Sequence, residues 1–225
     1  MFMAFQFKSD VMWETLPLLT RGVEMTIYLT VVGLLFGFFI GVAAGLMRIS
    51  RPALPRYLSL TYIEIIRGTP MVVQALFLYF GVPLATGMRI APVTAGIITI
   101  AVNSGAYIAE IVRGAIQSVD TGQAEAGRSI GLTRMQTMLY IIWPQAFRRM
   151  IPPLGNQFII SLKDTSLLTV IGVAELTRQG QEIVAVNFRS FEVYLTVALV
   201  YLCMTLSIAK VLRMYERKLA ERGSR

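Results

Sequence analysis

Long apolar stretches alternate with short polar ones along the whole chain, and this pattern predicts membrane-spanning helices. A hydrocarbon core of roughly 30 Å needs about 20 consecutive, mostly apolar residues of α-helix. Five stretches reach or approach that length, and the first has 23 residues without a charge. The sequence therefore predicts an all-α membrane protein in which residues 1–225 form a single transmembrane domain. The predicted spans are residues 25–47, 57–85, 92–116, 151–175 and 191–212.

Three segments outside the predicted spans are more polar. Residues 1–24 mix apolar and charged side chains, which predicts a lead-in that lies along the membrane interface. Residues 176–190 predict a polar loop, and residues 213–225 predict a basic tail. None of these segments is long enough to predict a separate soluble domain.

The first predicted span carries glycine at every fourth position, at Gly33, Gly37, Gly41 and Gly45. Residues four apart lie on one face of a helix, so the glycines form a stripe of small residues. Such stripes let two membrane helices approach closely. We expect another helix to pack against this face, although glycine is also common in membrane helices without such a role.

The second predicted span is less apolar, because it contains Glu64, Arg67 and Pro70. Glu64 and Arg67 are three residues apart and are close enough on a helix to form an ion pair. Pro70 lacks a backbone N–H and predicts a kink just beyond them. Charged residues inside a membrane face protein or water, so this pair predicts either a gate or a structural ion pair.

Adjacent opposite charges lie at the centre of the fourth predicted span, at Lys163 and Asp164. A charge at that depth costs at least about 2.5 to 3.5 kcal/mol, so both need partners or water. A zwitterionic ligand would offer an anionic group to the lysine and a cationic group to the aspartate. We expect a substrate site here, with Asn103 of the third span and, more weakly, Gln157 adding hydrogen bonds. Because adjacent helical residues point about 100° apart, the charges could instead form a structural lock with separate neighbours or across a dimer.

Composition supports the membrane assignment and excludes several classes of protein. The chain is 55% hydrophobic and 15% charged, which is too apolar for an ordinary soluble domain. The net charge of +8 comes from basic residues at the ends of apolar stretches, as membrane topology requires, and does not indicate nucleic acid. With no histidine and only Cys203, the chain predicts no metal site and no disulfide framework. None of its lysines follows a glycine, so it has no phosphate-binding loop of an ATPase and no predicted cofactor of its own.

The distribution of lysine and arginine predicts the orientation. Five spans place fourteen of these residues on one side of the membrane, including those of the polar segment 118–144 and of the tail. The other side has five, namely Lys8, Arg21, Arg89, Arg178 and Arg189. By the positive-inside rule, the N-terminus lies outside and the C-terminus lies in the cytoplasm.

The longest polar interruption, residues 118–144, predicts two short helices on the cytoplasmic side. Asp120 is a typical N-cap for the first helix, and Gly131 can adopt the left-handed conformation that ends it. Thr133 and Gln136 have the spacing of a capping box that opens the second helix. Small residues in the first helix would let a partner surface approach the backbone.

The same segment resembles the glutamate-alanine-alanine loop of the membrane subunits of binding-protein-dependent ABC importers. The matching residues are Glu125, Ala126, Gly127, Gly131, Ile141 and Pro144. Gly127 stands where a second alanine is usual, and Trp143 stands where leucine is usual. Further runs resemble the polar-amino-acid permeases of the histidine, glutamine and arginine family, at residues 63–74, 103–118, 152–167 and 171–183.

The resemblance implies a type I ABC importer transmembrane domain that acts as a permease in a bacterial inner membrane. It implies that Glu125, Ala126, Gly127, Arg128 and Gly131 couple the chain to an ATPase. The expected partners are a second permease subunit, two ATP-binding subunits that hold ATP and Mg, and an extracytoplasmic binding protein. Glutamine is the amino acid that the resemblance favours. An ion-coupled carrier or channel and a membrane enzyme acting on lipid are the alternatives, and neither explains the polar loop.

Overall fold

A computed structural model describes residues 6–223 of the chain, with side chains described as far as residue 215. Across this part the protein is helical and contains no β-strand. Two π-helical segments, Phe77–Gly81 and Met138–Ile142, join α-helices end to end, and one 3₁₀-helix, Thr165–Ile171, continues the α-helix before it. The α-helices are α1 (Ser9–Arg48), α2 (Ala53–Gly68), α3 (Met71–Leu76), α4 (Val82–Thr86), α5 (Pro92–Gln117), α6 (Thr121–Ser129), α7 (Arg134–Thr137), α8 (Trp143–Asp164), α9 (Leu176–Asn187) and α10 (Ser190–Gly223).

Helix α1 is longer than the predicted first span and has 40 residues. Its length of about 60 Å is roughly twice the thickness of the hydrocarbon core. Residues 9–24, predicted as an interfacial lead-in separate from the first span, are continuous with it in one helix, and their position at the membrane interface stays a prediction. Residues 1–5 lie outside the described residues. The extension is stabilised by tertiary packing, because Leu19 is buried in a cluster with Leu176 and Val197.

The glycine stripe of α1 packs against α5 in a regular register, which confirms the predicted close approach. An added Cβ atom would lie 2.6 Å from Ile100 at Gly33, 2.6 Å from Ile108 at Gly41 and 2.7 Å from Val112 at Gly45. The contacts between α1 and α5 therefore recur every four residues on both helices, along one line that we call the seam. Because α5 belongs to the same chain, a second subunit is not needed to cover the glycine stripe.

Replacing Gly41 with alanine is expected to destabilise the protein by about 1 to 3 kcal/mol, because the seam is already filled. The new Cβ would also lie 2.9 Å from the backbone oxygen of Gly105, which cannot rotate away. Gly114→Ala on α5 is the matched control, since no atom lies within 4 Å of a Cβ there. Thermal unfolding in detergent should show a lower melting temperature for Gly41→Ala only. Equal melting temperatures for the two variants would contradict this packing.

The second predicted span is a broken helix, as Pro70 indicated. The axes of Ala53–Gly68 and Met71–Thr86 differ by 103°, and the break falls at Thr69 and Pro70. Of the two alternatives for Glu64 and Arg67, the ion pair is wrong, because no salt bridge joins them among the described side chains, whereas the gate stays a prediction. The guanidinium of Arg67 lies 5.2 Å from the centre of the Tyr107 ring instead, in a cation–π contact.

The fourth predicted span, residues 151–175, does not form one continuous α-helix. Helix α8 ends at Asp164, and the 3₁₀-helix that follows ends at Ile171, where Gly172 with φ +80° forms the C-cap. By length and apolar composition three of the described helices qualify as spans, and the bent pair α2–α4 brings the number to four. The five-span count is therefore not reached, because polar residues make α8 too hydrophilic to qualify.

The predicted polar loop 176–190 is also wrong for most of its length, which forms α9. Its N-cap is the buried Glu175, whose carboxylate accepts hydrogen bonds from the backbone N–H groups of Thr177 and Arg178. The Tyr201 hydroxyl donates to the same carboxylate at 2.9 Å and ties α9 to α10. This tie to α10 depends on a residue 26 positions away, so local sequence gave no sign of it.

Candidate functional site

A cavity of about 560 Å³ lies beside the break between α2 and α3. Its walls come from the end of α2, the start of α3, the middle of α5 and the end of α8. Three of the four predicted substrate residues line it, and so does Arg67, which the sequence predicted as part of a gate or an ion pair. These four polar residues are Asn103, Gln157, Asp164 and Arg67.

The helices explain why these side chains converge. Gln157 and Asp164 are seven residues apart on α8, which places them on one face, two turns from each other. Asn103 faces them from α5 and is only 7% exposed. The Gln157 amide donates to the Ser161 hydroxyl at 3.2 Å, and Asp164 is half-buried.

Lys163 does not join the other predicted substrate residues. Its side chain is exposed and lies outside the cavity of this chain. The angle between adjacent helical residues explains this separation from Asp164. The guanidinium-bearing residue at the cavity wall is Arg67, so the wall offers an arginine where the sequence predicted a lysine.

Two residues of the site were not predicted from the sequence. Tyr107 lines the cavity and receives the Arg67 guanidinium on its ring. Gln74 of α3 accepts a hydrogen bond from the Asn103 amide at 3.1 Å. The only nearby feature of the sequence that could have indicated this role of Gln74 was its position four residues after Pro70.

The polar loop 118–144 has the predicted local structure in its first half. The Asp120 carboxylate accepts from the Gly122 N–H at 2.7 Å, and α6 follows. Gly131 has φ +89°, and Thr133 forms a capping box with Gln136. The second helix is not separate, however, because α7 passes through Met138–Ile142 directly into α8. The loop is therefore continuous with the helix that ends at Asp164.

The residues predicted to contact an ATPase divide into an outer and an inner group. Glu125, Ala126 and Arg128 are exposed on α6. Gly127 is buried instead, and a Cβ atom there would lie 2.6 Å from Cδ1 of Ile141. Glycine therefore fits where the related loops usually have alanine. Large apolar side chains are exposed nearby, at Ile130, Met135, Leu139 and Tyr140.

A helical membrane domain with a polar cavity at a broken helix and an exposed polar loop defines a membrane transport subunit. The family model described as "Binding-protein-dependent transport system inner membrane component" matches residues 33–221. The chain belongs to this family.

Individual relatives agree with this assignment. The glutamine transport system permease protein of Escherichia coli (strain K12) is 52% identical over 215 residues, which cover 95% of this chain and 98% of the relative. An L-cystine transport system permease protein of Bacillus subtilis (strain 168) is 35% identical, with 97% and 94% covered. These relatives are permease proteins, in agreement with a transport subunit rather than an enzyme.

Solved structures support the same fold. The crystal structure of an amino acid ABC transporter with histidines has a TM-score of 0.90 and 42% identity to this chain, with 95% of this chain and 100% of that chain covered. An inward-facing methionine ABC transporter has a TM-score of 0.78 at 24% identity, with 95% and 99% covered, and supports the fold alone. The domain thus has the fold of a type I ABC importer membrane subunit.

Proposed function

We propose that this chain is the permease subunit of an ATP-driven, binding-protein-dependent importer of a polar amino acid, and that the amino acid is glutamine. The observation that carries the proposal is the polar cavity at the α2–α3 break, which combines a cation, a carboxylate and two amides. The similarity to the glutamine transport system permease of Escherichia coli supports the choice of substrate.

The cavity chemistry is complementary to a free amino acid. The Arg67 guanidinium is a partner for the α-carboxylate, since its planar donors match a carboxylate. The Asp164 carboxylate is a partner for the α-ammonium, and Asn103 and Gln157 can exchange hydrogen bonds with a side-chain amide. We assign Lys163, which is exposed in the single chain, to the surface that faces a second permease subunit. This assignment corresponds to the structural lock across a dimer, which the sequence analysis gave as the alternative to a substrate site.

Energy for transport comes from a partner chain in this proposal. Two ATP-binding subunits hold ATP and Mg and contact the loop through Glu125, Ala126 and Arg128. Gly127 and Gly131 shape that loop. The continuous helix of residues 134–164 then links the ATPase contact to Asp164 at the cavity, so that movement of the loop reaches the substrate.

The proposed assembly has a defined orientation. The lysine and arginine distribution puts the loop and the C-terminus in the cytoplasm of a bacterial cell and the N-terminus outside its inner membrane. An extracytoplasmic binding protein delivers glutamine from the outer side, and a second permease subunit, identical or related, completes the pathway.

Stimulation of ATP hydrolysis tests this proposal. The complex of this chain with its ATPase subunits, reconstituted in nanodiscs, should hydrolyse ATP severalfold faster when binding protein loaded with glutamine is added. Empty binding protein serves as the control. Hydrolysis that does not respond to the loaded binding protein would contradict the proposed function.

A further inference from the structure

The break between α2 and α3 leaves the last carbonyl oxygens of α2 without helical donors, and that of Ile66 is one of them. In an α-helix the carbonyl of a residue accepts from the N–H four positions later. For Ile66 that donor would belong to residue 70, which is proline and has no N–H. A backbone carbonyl that is shielded from water and has no donor is destabilising, so a protein donor at this position stabilises the break.

The side chain of Gln74 supplies the missing donor. Its Nε2 lies 2.8 Å from the carbonyl oxygen of Ile66 and 3.1 Å from that of Thr69. The same nitrogen lies 2.9 Å from Oγ1 of Thr69. Two of these acceptors are carbonyl oxygens, which cannot donate, so the nitrogen end of the amide must face them. The orientation of the Gln74 amide is therefore fixed by the backbone of the break.

This orientation determines how Asn103 is turned. The Oε1 atom of Gln74 can only accept, and it lies 3.1 Å from Nδ2 of Asn103. Asn103 therefore directs its donor end to Gln74. Its own carbonyl oxygen remains as the acceptor that it can offer to the cavity it lines.

We propose that Gln74 is a positioning residue that fixes the Asn103 amide, so that Asn103 presents a hydrogen-bond acceptor to the ammonium or side-chain amide of the substrate. Gln74 does not itself line the polar cavity, so it acts through Asn103. The inference rests on the proposed function, because it assigns a part of the substrate site.

A double-mutant cycle on substrate binding tests the inference. Binding of radiolabelled glutamine to the assembled permease–ATPase complex is measured by equilibrium dialysis without the binding protein. The variants are Gln74→Met, Asn103→Leu and the double variant, with Gln181→Met as the matched control. Gln181 accepts a hydrogen bond from Thr169 and lies outside the cavity. If Gln74→Met does not assemble, Gln74→Asn replaces it, because its amide is one methylene too short to reach both the break and Asn103.

Gln74→Met is expected to raise the Kd about tenfold, the effect of about one lost hydrogen bond. The double variant should bind no more weakly than Asn103→Leu alone, because Gln74 acts only through Asn103. Gln181→Met should bind as the wild type does. If Gln74 only stabilised the fold, Gln74→Met would lower the yield and the melting temperature, and its effect on the Kd would not depend on Asn103.

If the wild type binds glutamine and the losses of affinity add in the double variant, the positioning role of Gln74 is contradicted but the proposed function is not. Wild-type complex that binds no glutamine would contradict the proposed function itself, and the inference would fall with it. The two failures are therefore distinguishable from one set of measurements.

Discussion

Gly131→Val is expected to release the ATPase subunits from the membrane protein and to reduce transport at least about tenfold. Gly131 has φ +89°, and no atom lies within 4 Å of a Cβ placed there, so the cost is conformational rather than steric contact with neighbours. A β-branched residue at positive φ costs of order 1 to 3 kcal/mol, which the chain avoids by rearranging the loop. The turn between α6 and α7 would then no longer hold α6 in place.

The matched control for this prediction is Gly87→Val. Gly87 also has positive φ, at +72°, and also has no atom within 4 Å of a Cβ, but it follows α4, far along the chain from the loop 118–144. The Gly87→Val variant imposes the same backbone strain but leaves the loop proposed to contact the ATPase unchanged. Glu125→Arg, a charge reversal at an exposed residue of α6, should act like Gly131→Val. Co-purification of the ATPase subunits gives the readout, and wild-type yields with both loop variants would contradict the coupling role.

Asp164→Asn is expected to weaken glutamine binding by the assembled complex about ten- to a hundredfold. The carboxylate is half-buried at the cavity wall, and a charge-assisted hydrogen bond to an ammonium contributes about 1.5 to 3 kcal/mol. Asparagine keeps the shape of the side chain but loses the charge. Assembly should therefore be retained while affinity falls, which equilibrium dialysis with radiolabelled glutamine would measure.

Lys163→Met is the control for Asp164→Asn, since Lys163 is the adjacent charge but lies outside the cavity. Its affinity for glutamine is expected to equal that of the wild type. Failure of Lys163→Met to assemble would favour the structural lock between subunits. Normal affinity and normal import by both variants would show that neither charge belongs to a substrate site.

Features with local causes were predictable from the sequence. The capping box of Thr133 and Gln136, the positive φ of Gly131 and the kink at Pro70 each depend on residues within a few positions of one another. The glycine stripe was predictable for the same reason, because its four-residue period lies within α1. The partner helix was not, since the sequence does not say which helix fills the seam.

Features that depend on distant residues were missed or wrong. Spacing allowed Glu64 and Arg67 to pair, but the fold brings the Tyr107 ring, forty positions further on, to Arg67 instead. The hydrogen bond that ties the cap of α9 to α10 depends on Tyr201, and the role of Gln74 depends on a 103° bend and on Asn103. Sequence adjacency also suggested one site for Lys163 and Asp164, whereas the helix turns them to different surroundings.

Accumulation of radiolabelled glutamine in proteoliposomes tests the central claim most directly. The vesicles contain this chain with its ATPase subunits, ATP is enclosed within them, and the binding protein is added outside. The account predicts that glutamine accumulates against its gradient and that omitting ATP or the binding protein stops the accumulation. Glutamine uptake that proceeds without ATP and follows an ion gradient would contradict the account and indicate an ion-coupled carrier.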